Sequence, residues 1–482
     1  MTAKKTKPLA AWIGGRPSED AAGPVIELVS PVDGGPAGVI AKTGEAGVSA
    51  AVENARQAFQ ENRRATAAAR SGWLHAAATE VEGVQDEMVE SMIRCIGKPR
   101  RAAAFEAGRT AQFIHACANE ALSVAGEVLP LDAVPAGAGR FGFARRVPFG
   151  VIGAVSPFNA PANLLMQKVA PALAVGNAVV CKPAQTGTVV ALILAQAFKR
   201  AGLPDGLFNV VPGDRVAALA LVAHPVVAAV SITSGTAAGE AFARAAGAKR
   251  LIAELGSNAA NIVCADANLD DAAKRIAGSA FEASGQQCIS AQRVIVEQVV
   301  LDDFLERFVG AARDLNVGDP YDQNTDVGPM VNAAAANRVE AMVLDAVEKG
   351  GRLALAPTRD GCVLGPAIIV GPAEGARLLT EEAFGPVVIV MPVADLEEAL
   401  SIANDTPFGL QGACFTASLE TAFRVSEEFD VGSLWINEGS RFRLDMYPFG
   451  GVGASGYGRE GVRYAMEELS QWKFTGIRLG SS

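Results

Sequence analysis

The chain has 482 residues, half of them hydrophobic, and sets 42 Lys+Arg against 52 Asp+Glu for a formal charge of −10. That acidic balance argues against non-specific attraction to nucleic acid or acidic membranes, and the length exceeds one ordinary core, so two or three packed units serving a small molecule are expected. The seven cysteines are scattered, form no CxxC pair and have only three histidines beside them, which supports neither a disulfide framework nor a metal site. The basic start, residues 1–8, leads into no sustained apolar run, and no apolar stretch reaches membrane-spanning length, so a cytoplasmic protein is expected.

In chain order, apolar residues at helical spacing predict a helix over 50–60. At 126–146 the pattern changes to Gly-Glu-Val-Leu-Pro-Leu-Asp and then Gly-Arg-Phe-Gly-Phe-Ala-Arg-Arg, a β-hairpin excursion from the helix–strand alternation or an ordinary surface hairpin. Short β-prone runs bounded by turn residues follow at 178–181, 208–211, 226–232, 261–264, 293–296, 387–391 and 433–436. Helical segments are expected at 240–246, at 270–283 and at 301–315, where Phe304, Phe308, Val309, Ala312 and Leu315 make one face. Strands alternating with helices imply parallel sheets in an α/β protein. No repeat, low-complexity tract or Gly/Ser linker divides the chain.

Three side chains suggest carbonyl chemistry. Cys288, in Ser284-Gly-Gln-Gln-Cys288, lies on a loop between the predicted helix over 270–283 and a strand, where substrate can approach; a lone cysteine is more often a small buried hydrophobe. Glu254 follows the apolar run Leu251-Ile-Ala and precedes Gly256, which sets a carboxylate at a strand end; alone it reads as a solvated loop residue. A thiolate attacks electrophilic carbon, and a carboxylate can activate the water that releases the product. Asn159, in Val155-Ser-Pro-Phe-Asn-Ala-Pro161, offers an amide donor to a developing oxyanion, or is an Asx-turn residue beside prolines.

A literal GxGxxG, Gly451-Val-Gly453-Ala-Ser-Gly456, lies too close to the chain end to open a dinucleotide-binding βαβ unit and is a chance match. A better phosphate cradle is Ser231-Ile-Thr-Ser-Gly-Thr-Ala-Ala-Gly239, which joins an apolar run to a helix whose N-terminus offers free N–H groups.

These motifs, taken in order, resemble the aldehyde dehydrogenase superfamily nearly end to end. Its Glu-Leu-Gly-Gly appears as Glu254-Leu255-Gly256-Ser257 and its Gly-Gln-x-Cys as Gly285-Gln286-Gln287-Cys288. Its C-terminal Phe-Gly-Gly-x-Lys-x-Ser-Gly appears at 449–456, with Gly453 in place of the lysine. The resemblance implies an aldehyde dehydrogenase-like α/β fold: a Rossmann-type cofactor domain (1–125 and 147–252), an α/β catalytic domain (253–430), a small β oligomerisation arm (126–146 and 465–482), and a return over 431–464 to the cofactor domain and active-site wall. A homodimer or homotetramer is expected, with no nucleic-acid or membrane partner and no metal.

The same resemblance implies a mechanism. The Cys288 thiolate adds to an aldehyde, Asn159 and the Cys288 N–H hold the oxyanion, hydride passes to nicotinamide, and water activated by Glu254 hydrolyses the thioester. It assigns Lys182 to the adenosine ribose, and Glu382 and Phe384 to the nicotinamide ribose and ring. Ser156, Pro157, Phe158, Thr233, Ser234, Gly235, Thr236, Gly239, Leu255 and Gly256 make up the remaining cofactor wall. Gln185 stands where NAD-preferring members often carry glutamate; a neutral amide removes the charge that repels a 2′-phosphate, so NAD or NADP is expected.

Candidate pocket residues carried over are Ala160, Asn163, Gln167, Gln287, Ile289, Arg441, Arg443 and Phe449, several of them small or polar. They favour a small, hydrophilic aldehyde of the lactaldehyde, succinate-semialdehyde or phosphonoacetaldehyde kind. Arg441 and Arg443 suit an anionic group on it, unless Arg443 is spent on an ion pair with Asp445 or at a subunit interface. Two other classes stay open at this stage: a member of the fold that has lost turnover, and a cofactor-independent thiol esterase, which leaves the 233–239 turn unexplained.

Overall fold

The computed structural model describes residues 8–19, 22–371 and 374–480. The basic residues 1–7 and the last two residues of the expected arm lie outside them. The strands Val151–Ser156 and Ala178–Pro183 are buried along their whole length. Such runs, apolar until Ser156 and Lys182 near their ends, require cover on both sides, which a parallel sheet clothed in crossover helices provides. They sit centrally in an eight-stranded sheet ordered Arg16–Ser18, Ala11–Ile13, Phe208–Val210, Ala178–Pro183, Val151–Ser156, Val227–Thr233, Arg250–Glu254, Gly456–Tyr457. From Phe208–Val210 to Arg250–Glu254 the strands are parallel and follow the doubly wound order 3-2-1-4-5 of a Rossmann half, with the reversal between Val151–Ser156 and Val227–Thr233.

A second sheet of seven strands runs Arg352–Leu355, Ala367–Val370, Val387–Val393, Arg293–Glu297, Ala260–Val263, Gln411–Phe415, Ser433–Ile436, parallel except at its first edge. A third sheet joins Glu127–Leu129, Arg140–Pro148 and Ser470–Arg478. The 126–146 excursion is therefore stabilised by a strand from the far end of the chain, in register from Ser470↔Pro148 to Arg478↔Arg140. The architecture is α/β, as the alternation predicted, and no described helix is long and apolar enough to cross a membrane.

The expected helices differ from the observed ones mainly at their starts. The first begins at Glu45 and ends at Asn62, and that over 270–283 runs Leu269–Phe281, started by Asn268 as its side chain accepts from the Asp271 N–H at 3.2 Å. The 240–246 segment starts four residues early, as Thr236–Ala246. Gly239, which reads as a turn residue, is inside this helix because a Cβ there would come within 2.2 Å of the Leu255 side chain. Close helix–strand packing, not a turn, needs that glycine.

Candidate active site

The helix Leu269–Phe281 delivers the chain to Cys288 through an unusual bend: Ala283, Ser284 and Gly285 all have φ between 52° and 61°. Left-handed backbone at non-glycine residues is strained and persists only where neighbours over-determine it. Here the Ala283 N–H donates to Asp326 O at 3.0 Å, the Ser284 hydroxyl donates to Gly328 O at 2.7 Å, and the buried Gln286 side chain accepts from the Val331 N–H at 2.9 Å. The bend leaves Cys288 partly exposed on a cavity of about 730 Å³, packed against the cluster Ile289, Leu410 and Phe449. Burial pushes its thiol up to about 12; the carboxylate of Glu382 adds to this and the guanidinium of Arg443 works against it.

Asn159 lies on the same cavity, in the loop between Val151–Ser156 and the helix Asn163–Ala174. A buried ion pair holds that loop from behind. The Glu106 carboxylate accepts from the Ala162 and Asn163 N–H groups at 2.8 and 3.1 Å, at the start of the helix where a negative charge is stabilised, and Lys98, paired to Glu106, donates to Asn159 O at 3.0 Å. Neither the Asn159 side-chain amide nor the Cys288 N–H has a partner among the described residues, so both donors are free to receive an anion in the cavity.

Glu254 ends the strand Arg250–Glu254 and is 2% exposed, far from the solvated loop residue it resembles in isolation. Neither of its oxygens has a hydrogen-bond partner. Burial, and next the like charge of Glu460, raise its pKa well above the usual carboxylate range. Glu460 behaves oppositely. Burial works to raise it, but Lys168 and Arg443 outweigh this and hold it below its ordinary value. Lys168, fully buried, donates to Glu460 at 2.8 Å and to the Thr233 hydroxyl at 2.7 Å, while Arg443 donates to the other Glu460 oxygen at 3.1 Å. The GxGxxG match has a structural use here. Gly456 pairs with Glu254 across the sheet edge, where a Cβ would come within 1.8 Å of Ala253 O, and Ser455 clamps Gly256 O at 2.7 Å.

The expected cofactor residues gather at the carboxyl ends of the first sheet, at its topological switch. Ser156, Lys182 and Thr233 end three adjacent strands, with Pro157 and Phe158 following the first and Gln185 opening a short 3-10 turn after the second. Gly235 caps the helix Thr236–Ala246, a Cβ there would meet nothing within 4 Å, and the Thr236 and Ala237 N–H groups have no partner among the described residues. Opposite, Gly256 lies so close to Thr236 and Glu382 that a Cβ would be 2.8 and 2.9 Å from their side-chain oxygens. Glu382 accepts from the Ser257 N–H at 3.1 Å, and burial pushes it up to about 7. Phe384, at φ 47°, sets its ring edge-on to Phe158 with centroids 5.8 Å apart. Burial lowers the Lys182 ammonium, with Asp214 among the charges opposing that. A free helix N-terminus, a lysine and a carboxylate in one crevice fit a dinucleotide: phosphates at the helix, ribose hydroxyls at the two charged side chains.

Of the expected pocket residues, Ala160, Asn163, Gln287, Ile289, Arg441 and Arg443 line the cavity with Cys288. Gln167 and Phe449 do not; both are 1% exposed and lie behind the wall. Gln167 is one helical turn beyond Asn163 and turns away to donate to Asp445 at 2.6 Å, while Phe449 packs beneath Arg443. The alternative Arg443–Asp445 pair is not formed, because Arg109 takes Asp445 through two bonds of 2.9 and 2.6 Å and Arg443 turns to Glu460. Arg441 donates to Gln287 at 3.0 Å and Glu282 at 2.6 Å. Lys98, Glu106, Arg109, Lys168 and Glu460 escaped the sequence reading. Lys168 left a signal, as the one charged residue in a helix buried at all twelve positions.

The sequence profile of the aldehyde dehydrogenase family matches residues 18–475. The chain is 36% identical to aspartate-semialdehyde dehydrogenase 1 of Pseudomonas canavaninivorans, over 93% of this chain and 96% of that protein. It is 37% identical to 3-sulfolactaldehyde dehydrogenase of Priestia aryabhattai, over 82% and 83%. Among solved structures, the NADP-dependent glyceraldehyde-3-phosphate dehydrogenase of Bacillus halodurans C-125, complexed with NADP, superposes with a TM-score of 0.95 at 31% identity, covering 98% of this chain and all of that one. The chain belongs to the aldehyde dehydrogenase family and is an NAD(P)-dependent aldehyde dehydrogenase.

Proposed function

We propose that this enzyme oxidises a small, hydrophilic aldehyde bearing an anionic group to the carboxylic acid. The observation that carries the reading is the single cavity that holds Cys288, the two free donors of Asn159 and the Cys288 N–H, and the guanidinium of Arg441. The Cys288 thiolate bonds to the aldehyde carbon, and the two donors take the oxygen as it gains charge. A nicotinamide dinucleotide bound in the crevice supplies the hydride acceptor. Glu254 takes a proton from water, whose oxygen attacks the resulting thioester carbon; the acid leaves and the thiolate is regenerated. When a dinucleotide is bound, Glu382 would hold the nicotinamide ribose, Phe384 the ring and Lys182 the adenosine ribose. With Gln185 in place of a carboxylate, both NAD and NADP are used.

For the anionic group, Arg441 is the better placed of the two predicted arginines. Its side chain is 23% exposed, against 6% for Arg443. The curated relatives named above act on aldehydes that carry a carboxylate or a sulfonate. The three-stranded sheet leaves Val128, Phe141, Trp472, Phe474 and Ile477 between 42% and 69% exposed, apolar surface that a second copy covers in a homodimer or homotetramer.

The test is initial-rate kinetics over matched neutral and anionic short aldehydes with NAD and NADP in parallel. In Arg441→Gln, KM for anionic aldehydes is expected to rise about 10–100-fold, the scale of a lost charge-assisted hydrogen bond, with neutral aldehydes unaffected. An equal rise for both sets defeats the anionic reading. In Asn159→Ala, kcat is expected to fall about 10²–10³-fold, while alkylation of Cys288 by iodoacetamide proceeds at the parent rate.

A further inference from the structure

Arg443 is buried more deeply than an arginine meant only for solvent or substrate. Its guanidinium carbon lies 3.6 Å from the centroid of the Phe449 ring, and its Nη2 donates to Glu460 at 3.1 Å. Its Nε is buried and has no partner. Cys288 packs against the cluster that contains Phe449 and lines the same cavity wall as Arg443. The thiol and the guanidinium thus border one apolar cluster and one cavity.

The charges of this buried group do not cancel. Lys168 and Arg443 bring two positive charges and Glu460 returns one negative charge, which both cations share. Burial, and next Glu460, raise the pKa of Glu254 in this group, and Asp445, which also faces Arg443, is bonded through both oxygens to Arg109. Two cations thus share one carboxylate on a largely buried wall, where positive charge is expensive unless a further anion lies within reach. The other charges facing the thiol, Glu382, Glu254 and Glu460, carry the wrong sign for a thiolate when ionised. Lys98, across the cavity, is taken by Glu106 and Asn159 O, and the Tyr447 hydroxyl beside the cluster donates to Gln411 at 3.0 Å.

We infer that Arg443 acts through Cys288: its guanidinium, fixed between Phe449 and Glu460 on the cavity wall, supplies the positive charge that stabilises the Cys288 thiolate. The S–H electron pair stays on sulfur, the proton leaves to water in the cavity, and the surplus charge of the group is balanced. Arg443 is then a positioning residue for the nucleophile, leaving Arg441 to read the substrate.

The test is the pH dependence of iodoacetamide alkylation of Cys288, followed on its peptide by mass spectrometry in the whole enzyme. Arg443→Gln is expected to raise the apparent thiol pKa by about one unit, slowing alkylation about tenfold at a fixed pH below it. Arg443→Lys, which keeps the charge, restores most of the parent profile. Glu460→Gln removes the competing carboxylate and moves the profile the other way, to lower pH, which supplies a second reading if the Arg443 variants fail to fold. An unchanged profile in Arg443→Gln, or shifts of the same sign in Arg443→Gln and Glu460→Gln, overturns the inference. So does an unchanged profile joined to a raised KM for anionic aldehydes alone, since Arg443 then serves the substrate. The inference rests on Cys288 as the nucleophile, but alkylation needs neither aldehyde nor cofactor. Turnover that survives Cys288→Ala defeats the proposed function, and the thiol profile separately decides the role of Arg443.

Discussion

Cys288→Ala is expected to abolish aldehyde-dependent reduction of NAD and NADP, a loss of about 10⁶-fold on the scale seen when other covalent catalysts lose their nucleophile. The effect is large because the other groups of the site act on an adduct that no longer forms: the two oxyanion donors and Glu254 have nothing to stabilise or release. The fold has little to lose. The side chain is only partly buried, on a loop held by Gln286, Ser284 and Ala283 rather than by the sulfur, so thermal unfolding and cofactor affinity should stay near the parent values. Measuring both beside the rate separates a missing nucleophile from a damaged crevice. Turnover within tenfold of the parent would assign the chemistry to another residue.

The second large effect falls on product release. Glu254→Gln is expected to allow one fast turnover per site and then stall, so a stopped-flow trace of reduced cofactor shows a burst followed by a steady state slower by about 10²–10⁴-fold. The shape of the trace is the diagnostic, since a glutamate needed for forming the thiolate would remove the burst itself. The substitution is clean because glutamine matches the volume of a side chain that is 2% exposed and whose oxygens make no hydrogen bond. In the parent enzyme, the raised pKa of Glu254 means that the steady-state rate should climb with pH above the usual carboxylate range as the carboxylate ionises. In Glu254→Gln that climb should disappear.

What could be read from the sequence follows from distance along the chain. Glu254, Cys288 and Asn159 each stand in a contiguous motif whose flanking glycines and prolines report the turn that presents them, and the strands that carry them are unbroken apolar runs. The residues that tune them could not be found that way. Lys168 meets Glu460 across 292 positions, and Arg109 meets Asp445 across 336. Lys98 and Glu106 are only eight apart, yet their purpose, steadying the Asn159 loop, depends on a segment some fifty residues further on. Gln167 misled for a local reason. It shares a helix face with Asn163, four residues earlier, and so reads as pocket lining, but the cavity closes between them. Arg443 reads as an anion-binding residue or as the partner of Asp445, because nothing near it in the sequence tells that Arg109 takes Asp445 and that Glu460 takes the guanidinium.

The reach of the Lys168–Glu460 pair sets the moment at which the site comes into being. The segment that holds Arg443, Phe449, Ser455 and Glu460 follows Lys168, Glu254 and Cys288 along the chain, and it also supplies the strand Gly456–Tyr457 that covers the outer edge of Arg250–Glu254. Until it docks, Lys168 has no carboxylate, Glu254 stands on an open sheet edge in contact with water, and Cys288 has neither the Phe449 ring nor the Arg443 charge beside it. Before that segment docks, the chain carries a glutamate and a cysteine without their buried surroundings, and both acquire them only when residues 443–460 close over the sheet edge.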